Sequence, residues 1–376
     1  MKIIVLGGAG DVGSRAVEEL VLAEGVQEVA IADRNTAAAQ RIADRLAGAR
    51  ANVTVRAVDA DDHAGLVRAI SGYHVAASAL GPFFRFEAKL ARAAIEAGAD
   101  YASVCDEWEA AEAVLDGLQD EARRSGRIVL TGLGTSPGVT NIGIRYLADQ
   151  LDRPRRADVQ VYQPLDAGGG EAVIRHMLHI ISGDTVIWRR GARTTIPACS
   201  ESVRVEFPRF GTVQVWNMGH AEPVTVPRFI PQLEEVNFRM GFGTGSAVFI
   251  TPAKLGFWKL RPIADAFVRL VVRWEQRQAT ATPADGAIRV DVWGEKDGKD
   301  AHLILCGTGQ MREVTGLSLA VGALMLGRKQ LSVREGGVYP PEGCIDAATF
   351  IRIMRDKGLV AHEDIAQTRP LVPNKS

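Results

Sequence analysis

Cysteine is scarce in this sequence, and the four residues present, Cys105, Cys199, Cys306 and Cys344, lie far apart. This spacing provides neither a disulfide framework nor a zinc-ligand set, so we expect no bound metal. Uninterrupted apolar runs stay short of the roughly 18 residues that span a bilayer, and no positively charged leader precedes the first apolar run. We therefore expect a cytoplasmic protein without a membrane partner.

A large net charge of either sign is also missing, because 44 basic residues and 45 acidic ones leave a formal net charge of only -1. This balance argues against a nucleic-acid partner, which selects a basic surface. The most apolar long segment, residues 245–274, is interrupted by prolines and charges, which favours a buried or interface helix over a membrane span. At 376 residues, the chain suits two domains of roughly 100 to 200 residues each.

Short apolar runs alternate with amphipathic helical patterns through the first 130 residues, as in KIIVL, EVAIAD and NVTVRAV. Such alternation is typical of parallel strands joined by crossover helices. We therefore predict an α/β fold that starts with a doubly wound parallel sheet of about six strands. Later stretches such as ESVRVEF and TVQVWNM predict an antiparallel or mixed sheet, and GAIRVDVWG with DAHLILCGTG predicts a hairpin around EKDGK.

Three glycines follow the first apolar run. Gly8, Gly10 and Gly13 match G-x-G-x-x-G between a predicted strand and a predicted helix. The first glycine permits a tight turn, the second lets the backbone approach a pyrophosphate, and the third allows close helix packing. Asp11 and Val12 open the helix, whose free N–H groups attract phosphate. The motif therefore predicts a Rossmann dinucleotide site, with a purely structural turn as the alternative.

The second predicted strand ends at Asp33, twenty residues after Gly13, where a carboxylate accepts hydrogen bonds from a ribose diol. Asp33 favours NAD because it repels a 2′-phosphate, whereas the adjacent Arg34 leaves NADP open as the cofactor. Asp59, after the third strand, is placed either to meet the adenine edge or to cap a helix.

Loops that follow parallel strands line the ligand cleft of such a sheet. After the fourth strand come Ala79, Gly81, Pro82 and Phe83, which predict a wall beside the nicotinamide or, equally well, a structural turn.

After the fifth strand come Cys105 and Asp106, which we name as candidate catalytic residues. The alternative for Asp106 is a helix N-cap. Pro137, Gly138 and Asn141 open a later helix whose N–H groups suit a substrate carboxylate, although an interdomain hinge also explains this stretch.

The segment EAVIRHMLHIISGDTVIW predicts a helix with Arg175 and His179 one turn apart. That face suits a carboxylate anchor and a general base, with His179 as the catalytic candidate. Arg228 is a further carboxylate anchor candidate in GHAEPVTVPR, where His220 and Glu222 also lie in a presumed loop. Ordinary surface or core roles are the alternative for all of these residues.

The stretches GPFFRFEAKLARAAIEAGADYASVCDE, GLGTSPGVTNIGIRYLA and GVYPPEGCIDAATFIRIMRDKGL resemble the saccharopine dehydrogenase-like family. The resemblance implies a discontinuous Rossmann domain over residues 1–135 plus about 310–376. It also implies an α+β substrate and dimerisation domain with a mixed sheet over about 136–309. It favours the cofactor role for the Gly-Pro-Phe turn, and it implies a homodimer.

The family relationship also implies hydride exchange between a nicotinamide and a carbon bonded to nitrogen, in an amino acid, a polyamine or an opine-like amine. We therefore expect an NAD(P)-dependent oxidoreductase with a small-molecule amine or oxo-acid substrate. A carbonyl or alcohol oxidoreductase on the same cofactor domain is one alternative. A non-catalytic dinucleotide sensor is the other, because the sequence contains no unmistakable catalytic constellation.

Overall fold

The computed structural model describes residues 1–164, 170–243, 246–278 and 284–371. Two compact units are present: Met1–Val139 with Arg312–Asp346, and Thr140–Met311 with Ala347–Ser376. The expected domain boundary placed residues 347–376 with the first unit, and 372–376 lie outside the described residues. The described part of this segment groups with the second unit because Cys306 and His362 exchange backbone hydrogen bonds of 2.9 and 2.8 Å.

A fully parallel sheet of seven strands forms the centre of the first unit. Its strands are β1 Lys2–Leu6, β2 Glu28–Asp33, β3 Asn52–Ala57, β4 Val75–Ser78, β5 Asp100–Ser103, β6 Ile128–Leu130 and β15 Gly337–Tyr339. The spatial order is β3-β2-β1-β4-β5-β6-β15. The predicted doubly wound sheet is therefore confirmed, and β15 adds a seventh strand at its edge.

Helices connect these strands because each apolar strand needs cover on both faces. Residues 3–6 of β1, for example, are fully buried. The helices of this unit are α1 Asp11–Leu20, α2 Thr36–Arg45, α3 His63–Ile70, α4 Phe83–Glu96, α5 Trp108–Gly117, α6 Gln119–Ser125, α12 Met311–Gly327 and α13 Pro341–Cys344. The strand order reverses between β1 and β4, and ligands bind at such a point in open α/β sheets.

The second unit has a mixed sheet of eight strands. They are β7 Arg153–Tyr162, β8 Asp184–Arg189, β9 Ala192–Pro197, β10 Ser202–Phe207, β11 Gly211–Asn217, β12 Glu235–Gly241, β13 Gly286–Lys296 and β14 Lys299–Gly309. Strands β7 and β12 are parallel, whereas β13 and β14 form the predicted antiparallel hairpin. The predicted mixed sheet is confirmed.

The helices of the second unit are α7 Val139–Ala148, α8 Gly170–Ile180, α9 Glu222–Phe229, α10 Ser246–Lys254, α11 Arg261–Gln278 and α14 Ala347–Asp356. The apolar segment 245–274 is broken at Gly256, whose φ of +77° ends α10 before a short 3-10 helix and α11. Among the described residues, no helix combines the length and the apolar character that crossing a bilayer requires.

Candidate functional site

The loop between β1 and α1 turns tightly over the end of β1. Gly7 has a φ of +72°, so it meets the tight-turn requirement that we assigned to Gly8. Gly8 is needed for close approach instead, since a Cβ there would lie 2.8 Å from the Val5 carbonyl oxygen. A Cβ on Gly13 would collide with the Gly7 carbonyl oxygen. These contacts bring α1 close against the loop, as a phosphate-binding turn requires.

The start of α1 suits an anionic group. Gly10 occupies the N-cap position and has no side chain to shield the first-turn N–H groups of Asp11 and Val12. Arg312, which sequence reasoning missed, brings its Nε to 2.9 Å from the Asp11 carboxylate and an Nη to 3.3 Å from the Ser14 hydroxyl. Arg312 is shared with Glu18 at 3.7 Å and Glu313 at 2.5 Å, so it offsets only part of the acidic charge here. The fit to a pyrophosphate rests on the N–H groups at the start of α1.

The end of β2 places Asp33 directly beside the glycine loop. One carboxylate oxygen accepts the Ala9 N–H at 3.1 Å and the other accepts the Asn35 N–H at 2.9 Å. Asp33 therefore supports the loop backbone in addition to carrying negative charge towards a ribose. The adjacent Arg34 is exposed, and Asn35 caps α2 by accepting the Ala38 N–H at 3.0 Å.

Asp59 is exposed after β3, and its carboxylate accepts the Asp61 N–H at 2.9 Å. Helix α3 is capped by Asp62, which accepts the Gly65 N–H at 2.9 Å. The helix-cap alternative for Asp59 is therefore wrong, although Asp59 does stabilise the preceding turn. Its place at the carboxyl end of β3 remains compatible with the predicted adenine contact.

The loop after β4 contains the predicted nicotinamide wall. Ala79, Gly81, Pro82 and Phe83 are half-buried, and Pro82 is the N-cap residue of α4. The Phe84 N–H donates to the fully buried carboxylate of Glu107, a residue to which the sequence analysis gave no role. Glu107 thus ties the loop after β5 to the first turn of α4.

Cys105 is fully buried, and burial raises the pKa of its thiol well above the ordinary value, with further increases from Glu87, Asp106 and Glu107. A thiol in this environment stays protonated, which disfavours the proton-transfer role that we considered for it. Asp106 is half-buried, and the N-cap residue of α5 is Glu107. The N-cap alternative for Asp106 is therefore wrong.

A buried polar cluster that sequence reasoning missed lies beneath these loops. Glu87, on α4, has no exposed surface and accepts hydrogen bonds from Tyr101 (2.9 Å), Ser103 (2.5 Å) and Thr131 (3.0 Å). One signal was available in the sequence: Glu87 lies at helical spacing from Leu90 and other apolar residues of α4. A carboxylate on the buried face of a helix needs such partners.

In the second unit, His220 forms a buried acid-base pair with Glu222. The His220 Nδ1 lies 2.5 Å from a Glu222 carboxylate oxygen, and both side chains are buried. The imidazole stacks on Phe238 at 3.8 Å, and Thr140 donates to the other Glu222 oxygen at 3.3 Å. The carboxylate fixes the orientation of the ring and favours an N–H at Nδ1, which makes Nε2 the acceptor.

The predicted helical face of Arg175 and His179 forms within α8. Arg175 is exposed and binds Glu171 at 2.8 Å and Asp265 at 2.7 Å, so it links α8 to α11. These two carboxylates make Arg175 a weaker candidate for anchoring a substrate. His179 is half-buried, and a ring nitrogen of the neighbouring His176 lies within 4.8 Å of one of His220.

The remaining substrate candidates fall in different surroundings. Pro137 and Gly138 are buried before α7, and Gly138 has a φ of +124° with its backbone against Gly134. Asn141 is buried in the second unit, where its amide donates to Thr225 at 3.2 Å. Arg228 is exposed in the last turn of α9, so the expectation of a loop there is wrong.

Comparison with known proteins finds a matching domain family and curated relatives. Residues 3–130 match the model of the saccharopine dehydrogenase NADP binding domain. A carboxynorspermidine synthase from Vibrio alginolyticus is 30% identical over 34% of this chain and 31% of its own length. A carboxynorspermidine synthase from Vibrio cholerae is 24% identical over 65% of this chain and 63% of its own length. Both alignments thus span less than two thirds of the relative.

The fold is shared with a solved apo saccharopine dehydrogenase (L-Glu forming) from Saccharomyces cerevisiae. The two chains superpose with a TM-score of 0.69 at 14% identity, over 96% of this chain and 99% of the yeast chain. The chain is therefore similar to the saccharopine dehydrogenase-like family in its first 130 residues, and it shares its overall fold with the yeast structure.

Proposed function

We propose that this protein is an NAD(P)-dependent oxidoreductase that exchanges a hydride at a C–N bond of an amino acid, a polyamine or an opine-like amine. The observation that carries the proposal is the match of residues 3–130 to an NADP-binding domain, together with the close-packed glycine loop. The names of the Vibrio and yeast relatives support an amine substrate.

The first unit provides the cofactor site in this proposal. The N-terminus of α1 holds the pyrophosphate, with Gly10 giving access to the backbone N–H groups and Arg312 offsetting part of the acidic charge around Asp11. Asp33 and Arg34 meet the adenosine ribose, while the half-buried Pro82 and Phe83 limit water at the nicotinamide. A bound nicotinamide dinucleotide supplies the hydride acceptor or donor.

The second unit provides the proton-transfer group in this proposal. In the oxidative direction, His220 Nε2 accepts the proton from the amine nitrogen, and Glu222 stabilises the imidazolium that forms. Transfer of the hydride from the adjacent carbon to the oxidised nicotinamide in the same step leaves a neutral imine, which water hydrolyses to a carbonyl compound and an amine. Reductive amination runs through the same steps in reverse, with His220 returning the proton.

His220 replaces His179 and Cys105 as the preferred proton-transfer residue because of its surroundings. Its ring is held on both sides, by Glu222 at Nδ1 and by Phe238 across its face. Fixed orientation of an acid-base group reduces the entropy lost on reaching the transition state. His176 has a ring nitrogen within 4.8 Å of one of His220 and is therefore part of the same surroundings.

The test is absorbance of reduced nicotinamide while the protein is offered NAD or NADP with lysine, saccharopine and polyamines, and NADH or NADPH with the corresponding oxo acids and aldehydes plus amine. We expect turnover with at least one amine pair. Tight dinucleotide binding without turnover on the panel would instead favour a sensor. Turnover with simple alcohols but no amine would favour the carbonyl or alcohol oxidoreductase. Light scattering on the same sample tests the expected homodimer.

A further inference from the structure

Glu87 joins the ends of neighbouring strands in the first unit. Its Oε1 accepts the hydroxyls of Ser103, the last residue of β5, and Thr131, the residue after β6. Its Oε2 accepts the hydroxyl of Tyr101, in β5. Glu87 itself lies in the second turn of α4, so one carboxylate joins a helix to two adjacent strands.

The same cluster continues into the loops that follow those strands. The Ser103 hydroxyl accepts the Cys105 N–H at 3.4 Å, and the Ser103 carbonyl accepts the N–H groups of Gly132 and Leu133 at 3.0 and 2.7 Å. Glu107, in the loop after β5, accepts the Phe84 N–H and so connects this loop to the first turn of α4. The backbone of both loops is therefore hydrogen-bonded to Ser103, whose hydroxyl donates to Glu87.

Two hydrogen-bond patterns are open to this cluster. An ionised Glu87 accepts all three hydroxyls, whereas a neutral Glu87 must donate its own O–H, which requires at least one hydroxyl to reverse its direction. Burial raises the pKa of Glu87 from 4.5 to about 7, against the lowering effect of the three hydroxyls and with an added rise from Glu107. The titratable groups facing it are Tyr101, Cys105 and Glu107. Both patterns are thus populated near neutral pH.

We propose that Glu87 is a positioning residue of the dinucleotide site. Its ionised form holds the loop after β5, which Glu107 ties to the first turn of α4, in the geometry that keeps the predicted nicotinamide wall of Pro82 and Phe83 in place. Glu87 acts through Ser103 and Thr131, without touching the dinucleotide. This proposal rests on the proposed function of the first unit, and it assigns a role to a group that the cofactor chemistry leaves unused.

The test is dinucleotide affinity of the full chain, measured by fluorescence of the reduced nicotinamide between about pH 6 and about pH 8. If only the ionised form binds, a group that titrates near pH 7 makes the wild-type Kd about tenfold lower at the upper end. Glu87→Gln keeps the size of the side chain and, like the neutral acid, accepts at its oxygen and donates from the other position without ionising. We expect its Kd to stay near the low-pH wild-type value across the range, apart from any titration of the ligand phosphates.

Two further variants separate positioning from general stability. Ser103→Ala removes one hydroxyl that stabilises the carboxylate, so the midpoint of its pH profile is expected to move upward. Asp100→Asn changes a half-buried carboxylate whose pKa is also raised by desolvation, at the opposite end of β5, and is expected to keep the wild-type profile. A wild-type Kd that is flat with pH, or a Glu87→Gln profile identical to wild type, would overturn the positioning role alone. Failure of the wild type to bind dinucleotide at any pH would overturn the proposed function as well.

Discussion

His220 and Glu222 form a buried hydrogen-bonded pair in which the imidazole Nδ1 lies 2.5 Å from a carboxylate oxygen. They are two residues apart, at the point where the chain enters α9, so the pairing needs little loop ordering. Thr140 on α7 holds the second carboxylate oxygen. A carboxylate that is itself held in place gives the histidine one orientation, which is what a proton-transfer residue needs.

Substituting His220 by Asn is expected to lower kcat by a factor on the order of 10² to 10⁴, the usual contribution of a general acid or base. Asparagine keeps a polar group near Glu222 but transfers no proton at the position of Nε2. The dinucleotide Kd is expected to stay within about twofold of wild type, because the glycine loop is in the other unit. Steady-state kinetics and fluorescence titration measure the two quantities.

His63 offers a matched control for that substitution. It forms a second histidine–glutamate pair, with Glu96 at 2.8 Å, but both side chains are exposed in the first unit. His63→Ala is expected to leave kcat unchanged. If His220→Asn retained wild-type kcat while His179→Ala lost it, the proton-transfer role would return to His179.

Gly13→Ala is expected to abolish measurable dinucleotide binding. The added Cβ would collide with the Gly7 carbonyl oxygen, so α1 would have to move away from the glycine loop that precedes it. Such overpacking costs about 1 to 3 kcal/mol of folding stability. Gly117→Ala is the control, because a Cβ there meets nothing within 4 Å. Near-normal binding by Gly13→Ala would show that the loop tolerates the shift. It would also weaken the assignment of the glycine loop as a phosphate-binding site.

Local patterns in the sequence were sufficient for the architecture of the first unit. Its strands are short apolar runs because both faces of a parallel sheet are covered, and this composition is visible without knowing any contact. The glycine loop was predictable for the same reason, since its requirements fall on residues close together in the chain. The tight turn nevertheless uses Gly7 rather than Gly8, a distinction that only the backbone angle reveals.

Contacts between distant residues explain what the sequence did not predict. Glu87 receives hydrogen bonds from residues 14 to 44 positions away, and Arg312 reaches Ser14 across 298 positions. In the second unit, the hairpin of β8 and β9 was not predicted, and the residues of α9 were predicted to form a loop between strands. A proline is tolerated near the start of a helix, so Pro223 is compatible with α9.

Arg34→Ala is expected to weaken NADP(H) binding roughly tenfold and to leave NAD(H) binding unchanged, because a charge-assisted contact with the 2′-phosphate would be lost. Arg34 is exposed beside Asp33, whose oxygens are engaged with the Ala9 and Asn35 N–H groups. The control is Arg41→Ala, which changes an exposed arginine within α2, seven residues after Arg34. Equal effects of Arg34→Ala on both dinucleotides would place the guanidinium at the adenine rather than at the phosphate.

Glu87→Gln is expected to remove the part of the pH dependence of the free energy of unfolding that comes from ionisation of Glu87. Because the folded-state pKa of Glu87 is raised from 4.5 to about 7, its contribution to stability is fully present below about pH 4.5 and is lost as pH rises through 7. The difference of roughly 2.5 pKa units corresponds to about 3 kcal/mol, and full burial leaves little solvent screening.

Thermal unfolding midpoints of the two proteins between about pH 5 and about pH 8 measure this difference. The wild type is expected to lose stability relative to Glu87→Gln as pH rises. Asp61→Asn is the control: its arginine and lysine partners lower the pKa of Asp61, so its contribution disappears only at acidic pH below this window. Parallel midpoints for wild type and Glu87→Gln would mean that Glu87 stays in one charge state. A confirmed loss would mean that the fold keeps a carboxylate where an amide is more stable, and such a stability cost is typical of residues retained for function.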